Sequence, residues 1–129
     1  MLPINAGANP LTINIETFHS ISGNVIAHVY NNAEAFPTDP AKAVQTIVIP
    51  VADQKMTLTT ESLPAGEYAV AVIHDLNENN KLDFNALWIP QEPYAFSNNA
   101  KGFMGPPKFK KAKFRIDNLP TEITVKLKH

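Results

Sequence analysis

The sequence predicts an all-β fold, an antiparallel seven-stranded β-sandwich. Three observations point there. Apolar and polar residues alternate with period two in segment after segment, which is the signature of strands with one buried face. Proline, glycine and asparagine fall between those segments, where turns need them. No stretch carries the apolar i, i+3, i+4, i+7 spacing of a long amphipathic helix.

Leu11, Ile13 and Ile15 alternate with Thr12, Asn14 and Glu16 and open the fold. Residues 1–9 lack such a pattern and are expected outside the domain, as a disordered or vector-derived start or the tail of a trimmed leader. Residues 10–128 then form the single sandwich. After a turn at Ser22-Gly23-Asn24, Val25, Ala27 and Val29 alternate with Ile26, His28 and Tyr30. Residues 31–43 are rich in Asn, Ala and Pro and read as a loop, with one helical turn at Pro40–Ala43. Gln45–Val51 is the third strand, and Met56–Thr60 the fourth.

Leu63-Pro64-Ala65-Gly66 supplies a turn with a fixed φ followed by a flexible residue. Behind it, Ala69-Val70-Ala71-Val72-Ile73 is apolar without alternation, so this fifth strand is expected in the middle of a sheet, buried on both faces. Ala112, Phe114 and Ile116 alternate with Lys111, Lys113 and Arg115. Ile123, Val125 and Leu127 alternate with Thr124, Lys126 and Lys128. These are the last two strands, with Asp117–Pro120 as the turn between them.

A chain of 129 residues with net charge −1 is one domain, and its overall charge selects no nucleic-acid or membrane partner. It has no cysteine, which excludes disulfides and thiolate chemistry. No apolar run approaches the ~20 residues of a membrane span. Eight of the eleven Lys and Arg lie beyond residue 100. Lys111, Lys113, Arg115, Lys126 and Lys128 are expected on one outer sheet face. They form either a solvated surface that discourages edge pairing or a patch for an anionic envelope surface. No aromatics interleave with them, so nucleic acid is not expected.

The segment 74–108 is too long for a plain connection and too aromatic for disorder. It holds Phe84, Trp88, Tyr94, Phe96 and Phe103, five of the eleven aromatics. It reads as an ordered excursion packed against the sandwich. Trp88, Tyr94, Phe96 and Phe103 are either its own small core or a stacking platform for a glycan or peptide. At its start, Asp75, Asn77, Asn79, the Lys81 carbonyl and Asp83 fall at positions 1, 3, 5, 7 and 9 of a calcium loop of about twelve residues. Asn80 stands at the turn position where glycine is usual. Ala86 stands where a bidentate glutamate is usual, so Glu92 is the expected replacement. With few carboxylates, the affinity expected for calcium is weak, on the order of 10⁻⁴ to 10⁻³ M. The competing reading is a metal-free turn in which Asp75 and the asparagines bond their own backbone.

His74-Asp75-x-Asn77-x-Asn79-x-Lys81-Leu82-Asp83, then Ile89-Pro90-x-Glu92-Pro93-Tyr94-x-Phe96-Ser97-Asn98-Asn99, then Gly105-Pro106-Pro107-x-Phe109 resembles the bacterial family catalogued as domain of unknown function 2141. Leu63-Pro64-x-Gly66-x-Tyr68-Ala69-Val70 fits as well, and the resemblance spans roughly residues 10–128. It implies a small protein exported to the periplasm or cell surface of a Gram-negative bacterium. It also implies a prealbumin-like or carboxypeptidase-regulatory-like sandwich, with no established activity. This chain departs from the family pattern at Glu78, Asn80, Trp88 and Ala95, where glycine is usual.

Catalytic signatures are weak. His19, His28, His74 and His129 show no metal-motif spacing, and Ser97 lacks a local base. The function expected is a non-enzymatic exported binding or structural module of the cell envelope, its loop at 75–83 held either by calcium or by a metal-free turn. The alternatives are a hydrolase-like enzyme built on Asp75, Asp83 and Glu92, and a domain that self-associates through a sheet edge.

Overall fold

The computed structural model describes residues 9–16, 18, 20–76, 92–102 and 105–128. It is all-β, with eight strands among the described residues. They are β1 (Leu11–Glu16), β2 (Asn24–Tyr30), β3 (Gln45–Pro50), β4 (Met56–Thr59), β5 (Gly66–Asp75), β6 (Tyr94–Phe96), β7 (Phe114–Ile116) and β8 (Thr121–Lys126). A 3₁₀ turn at Pro40–Lys42, another at Ser97–Asn99 and a single α turn, α1 (Phe109–Ala112), are the helical pieces. Among the described residues no helix is long and apolar enough to cross a membrane.

The strands form two sheets. One runs β4-β1-β8, the other β3-β2-β5-β6 with β7 also on β5. Leu11, Ile13, Ile15, Leu58 and Val125 from the first face Val25, Ala27, Val29, Val70 and Val72 from the second in one buried cluster. These are the apolar positions of the period-two pattern, because side chains two apart on a strand share a face. Strand β5 is buried on both faces from Tyr68 to Asp75, as its unbroken apolar run predicts. Its outer face is covered by a second cluster in which Tyr30, Ala35, Phe36, Phe96 and Ala112 meet.

The structure differs from the sequence reading in four places. Among the described residues there are eight strands rather than seven, because Tyr94–Phe96 returns from the excursion to pair with Ala71–Ile73. Three residues are too few for alternation to show. The sandwich is not wholly antiparallel: β1 and β8 run parallel, Leu11 beside Thr121 through Glu16 beside Lys126. The alternation at 111–116 is half helical, since the Lys113 N–H closes a turn on Phe109 O at 2.8 Å and the strand starts only at Phe114. Finally, β7 joins β5 while β8 joins β1. The basic residues therefore divide between α1 and β7 beside one sheet and the end of β8 in the other, instead of sharing a face. Lys113 pairs with Glu67 at 3.3 Å and Arg115 with Asp117 at 2.9 Å.

Asn9, grouped by sequence with the N-terminal segment, already belongs to the fold. It is buried, and its side-chain amide donates to Leu63 O at 2.9 Å. Among the described residues, backbone pairing joins the two sheets along one side, while on the other the Gln45 side chain of β3 bonds the Glu61 backbone just after β4. Tyr94 and Lys128 exchange backbone hydrogen bonds of 2.8 Å in both directions, linking β6 to the end of β8. On the opposite side β3 and β4 are both terminal strands.

Candidate functional site

The candidate site lies where β5 ends. Asp75, its last residue, sits opposite Asn24 of β2 and is fully buried on the outer side of the sheet. The chain leaves through Leu76 and is next described at Glu92. There the buried Glu92 carboxylate accepts the Leu76 N–H at 2.8 Å, on the peptide that follows Asp75. One residue on, Pro93 O accepts the His74 N–H at 2.9 Å and starts the β6 ladder. The two ends of the 77–91 segment are thus pinned side by side by backbone pairing and one carboxylate.

His74 faces the opposite side of the sheet from Asp75, because successive residues alternate. Its ring is fully buried, with Nε2 2.7 Å from Ser22 O. A carbonyl only accepts, so Nε2 carries the proton. Among the described residues Nδ1 has no hydrogen-bond partner. Phe18 packs edge-on against the ring at 5.0 Å. Gly23 closes this end at φ +67°, and a Cβ there would stand 2.6 Å from Asp75 O. His28 is buried on the outer face of β2, with Nδ1 2.9 Å from Thr46 Oγ1, and burial pushes its pKa down.

The remaining residues expected at the calcium loop, Asn77, Asn79, Lys81 and Asp83, lie outside the described residues, as do Trp88 and Phe103. Of the expected stacking platform, Tyr94 and Phe96 are described. Their rings are 5.5 Å apart, and Phe96 also meets Phe36 at 5.8 Å. With 4% of its surface exposed, Phe96 is part of the layer that covers β5. Tyr30 completes this layer, 5.5 Å from Phe36. Its hydroxyl donates to Pro37 O at 3.1 Å, and burial with the nearby Asp39 carboxylate pushes its pKa up to about 12.

Sequence reasoning missed two features. One is an open groove of about 470 Å³ on the outside of this layer, lined by Phe36, Pro37, Pro106, Pro107 and Phe109 with Lys108 and Lys110 beside them. Its only sequence signals are the two proline-aromatic clusters, which are far apart in the chain. The other is the role of Ser97, Asn98 and Asn99. The Ser97 hydroxyl accepts the Val70 N–H at 2.9 Å and donates to Ala112 O at 2.6 Å. Asn98, at φ 62°, donates its amide to Lys111 O and Lys113 O. The side-chain oxygen of Asn99, at φ 48°, accepts the Lys126 N–H at 3.0 Å. Asparagine reaches this left-handed region more readily than most residues. The three side chains knit β5, α1 and β8 together.

A family model described as "Uncharacterized protein conserved in bacteria (DUF2141)" matches residues 13–124. The chain belongs to this family. No curated protein and no solved structure matched it. The DUF2141 motif segments quoted from the sequence occupy definite places in this fold. The Tyr68 hydroxyl donates to Pro64 O at 2.6 Å and closes the turn into β5. His74-Asp75 is the exit of that strand, Glu92-Pro93 the return, and Phe96-Ser97-Asn98-Asn99 the knot beside it.

Proposed function

We propose that this DUF2141 protein is a non-enzymatic binding or structural module of the bacterial cell envelope, exported to the periplasm or cell surface, in which calcium braces the segment leaving β5. The observation that carries the reading is the clasp of Glu92 on the Leu76 N–H. It fixes both ends of a segment dense in side-chain oxygens, and it brings a second buried carboxylate to the peptide beside Asp75. Oxygen donors of this kind fit calcium, and a dication stabilises two carboxylates held close together. Asp75 and Glu92 would hold the ion together with Asn77, Asn79, the Lys81 carbonyl and Asp83.

A non-catalytic role is supported by how the reactive side-chain types are used. Ser97, His74 and Glu92 each hold a backbone group of another segment. A prealbumin-like classification suits the two-sheet architecture, and export is proposed on the resemblance of the sequence motifs to the family. The binding partners that suit the surface are a glycan, a peptide or an anionic envelope component, met through the excursion and its aromatic layer.

Thermal unfolding with and without calcium tests the brace. For a dissociation constant near 1 mM, ~10 mM calcium adds about 1.4 kcal/mol, or roughly 4 °C. Glu92→Gln keeps a carbonyl for the Leu76 N–H and is expected to lose that gain. Equal melting temperatures in calcium and in chelator for the unaltered protein would sink the calcium reading. Osmotic-shock fractionation of the full-length gene product tests export, and a cytosolic location would refute it.

A further inference from the structure

The fold treats its sheet edges unequally. At the C-terminal end of β8 the outward backbone is closed: Asn99 takes the Lys126 N–H, and Lys128 exchanges two bonds with Tyr94. At β3 no described segment pairs with the outward side. The Val51 N–H bonds Gly23 O, which sets the ladder so that Ile47 and Ile49 turn their backbone groups toward β2. Thr46 and Val48 then turn theirs outward, since the two kinds of pair alternate in an antiparallel ladder. The same alternation runs on consistently through β2 and β5 to His74 N on Pro93 O.

This edge lacks the usual protection. Gln45–Pro50 contains no charge and no proline before its last residue, whereas natural edge strands carry lysine, proline or bulges that discourage pairing. Val44 and Val48 are exposed, Val48 at 45%. Charges sit beyond its ends: Asp39 and the exposed Lys42 before the strand, the exposed Asp53 and Lys55 after it.

We propose that β3 is a docking edge for β3 of a second copy of this chain, paired antiparallel about a two-fold axis through Ile47. In that register Thr46 of each copy faces Val48 of the other, and the outward N–H and C=O groups of both residues make four hydrogen bonds. Val44 of each copy lies by Pro50 of the other, which covers the exposed valines. The same two-fold brings Lys42 of each copy toward Asp53 of the other. A parallel pairing would set like charges together, so the charge distribution selects the isologous antiparallel arrangement. The two larger sheets become one continuous sheet across the dimer. An interface of one edge strand is small, so the association is of the weak class.

Sedimentation velocity across a micromolar-to-millimolar concentration series tests the proposal. A monomer–dimer equilibrium is expected. Val48→Lys, and separately Val48→Pro, should weaken it at least ~tenfold, because the outward Val48 N–H takes no part in the β2 ladder. Val48→Lys leaves every backbone bond available, so it remains informative if the proline variant fails to fold. Lys42→Asp alone should weaken dimerisation, and Lys42→Asp with Asp53→Lys should restore it, which non-specific aggregation would not do. A chain that stays monomeric throughout, a dimer indifferent to Val48→Lys, or a double variant that fails to recover would each overturn the proposal.

Discussion

The Ser97 hydroxyl accepts the Val70 N–H at the one point on β5 where two other strands would collide. The β6 register, Val72 beside Ala95, runs on to place Ser97 opposite Val70. The β7 register, Gly66 beside Ile116 and Tyr68 beside Phe114, runs on to place Ala112 there. Both strands occupy the same edge of β5 from opposite ends. Ser97 joins them by taking the Val70 N–H and giving its own proton to Ala112 O.

Ser97→Ala therefore leaves a buried donor and a buried acceptor without their partner. Each such loss costs about 1–3 kcal/mol, so the variant should be destabilised by roughly 2–6 kcal/mol. Urea unfolding measures this as a lower midpoint with an unchanged slope. A midpoint shift worth under ~1 kcal/mol would mean that water or a backbone shift replaces the hydroxyl.

Stability should fall on acidification through His28. Burial holds its folded pKa below the ordinary histidine value of 6.5, so the unfolded chain binds a proton first as the pH drops. The His28 contribution is complete above about pH 6.5. It is lost as the pH falls toward the folded pKa and levels off below it, with a limiting slope of ~1.4 kcal/mol per pH unit. Comparing unfolding free energies of the unaltered chain and His28→Gln from pH 7.5 to 5 isolates this term. The difference between the two should shrink on acidification, and parallel profiles would contradict it.

Gly23→Ala tests the closure at the β5 exit. The residue sits at φ +67°, and an added Cβ would meet Asp75 O at 2.6 Å and Leu76 Cα at 3.0 Å. Both contacts are with backbone, so relief requires β2 and the β5 exit to separate. A loss of ~2 kcal/mol or more is expected. If calcium braces the same exit, the variant should also show a smaller calcium-induced rise in melting temperature.

Much of the fold was legible because side-chain direction is a local property of an extended chain. Alternation at Leu11–Glu16 marks one buried face, and the unbroken run at Ala69–Ile73 marks two. Asp75 and Glu92, which the sequence reading placed at one calcium loop, lie at the two ends of that segment, with Glu92 bonded to the peptide after Asp75. Which strand lies beside which is not local. The alternation of Phe114–Ile116 and of Thr121–Lys126 reads alike, yet they enter different sheets, the second parallel to β1. Tyr94–Phe96 was illegible because three residues show no period, and Ser97 because its role exists only where Val70 and Ala112 meet. The sequence by itself determined most of the strands, their buried faces and the exit of β5. The tertiary structure decided the pairing, the return of β6, the closed end of β8 and the unpaired side of β3 among the described residues, because backbone hydrogen bonds form between residues whose separation along the chain leaves no periodic trace.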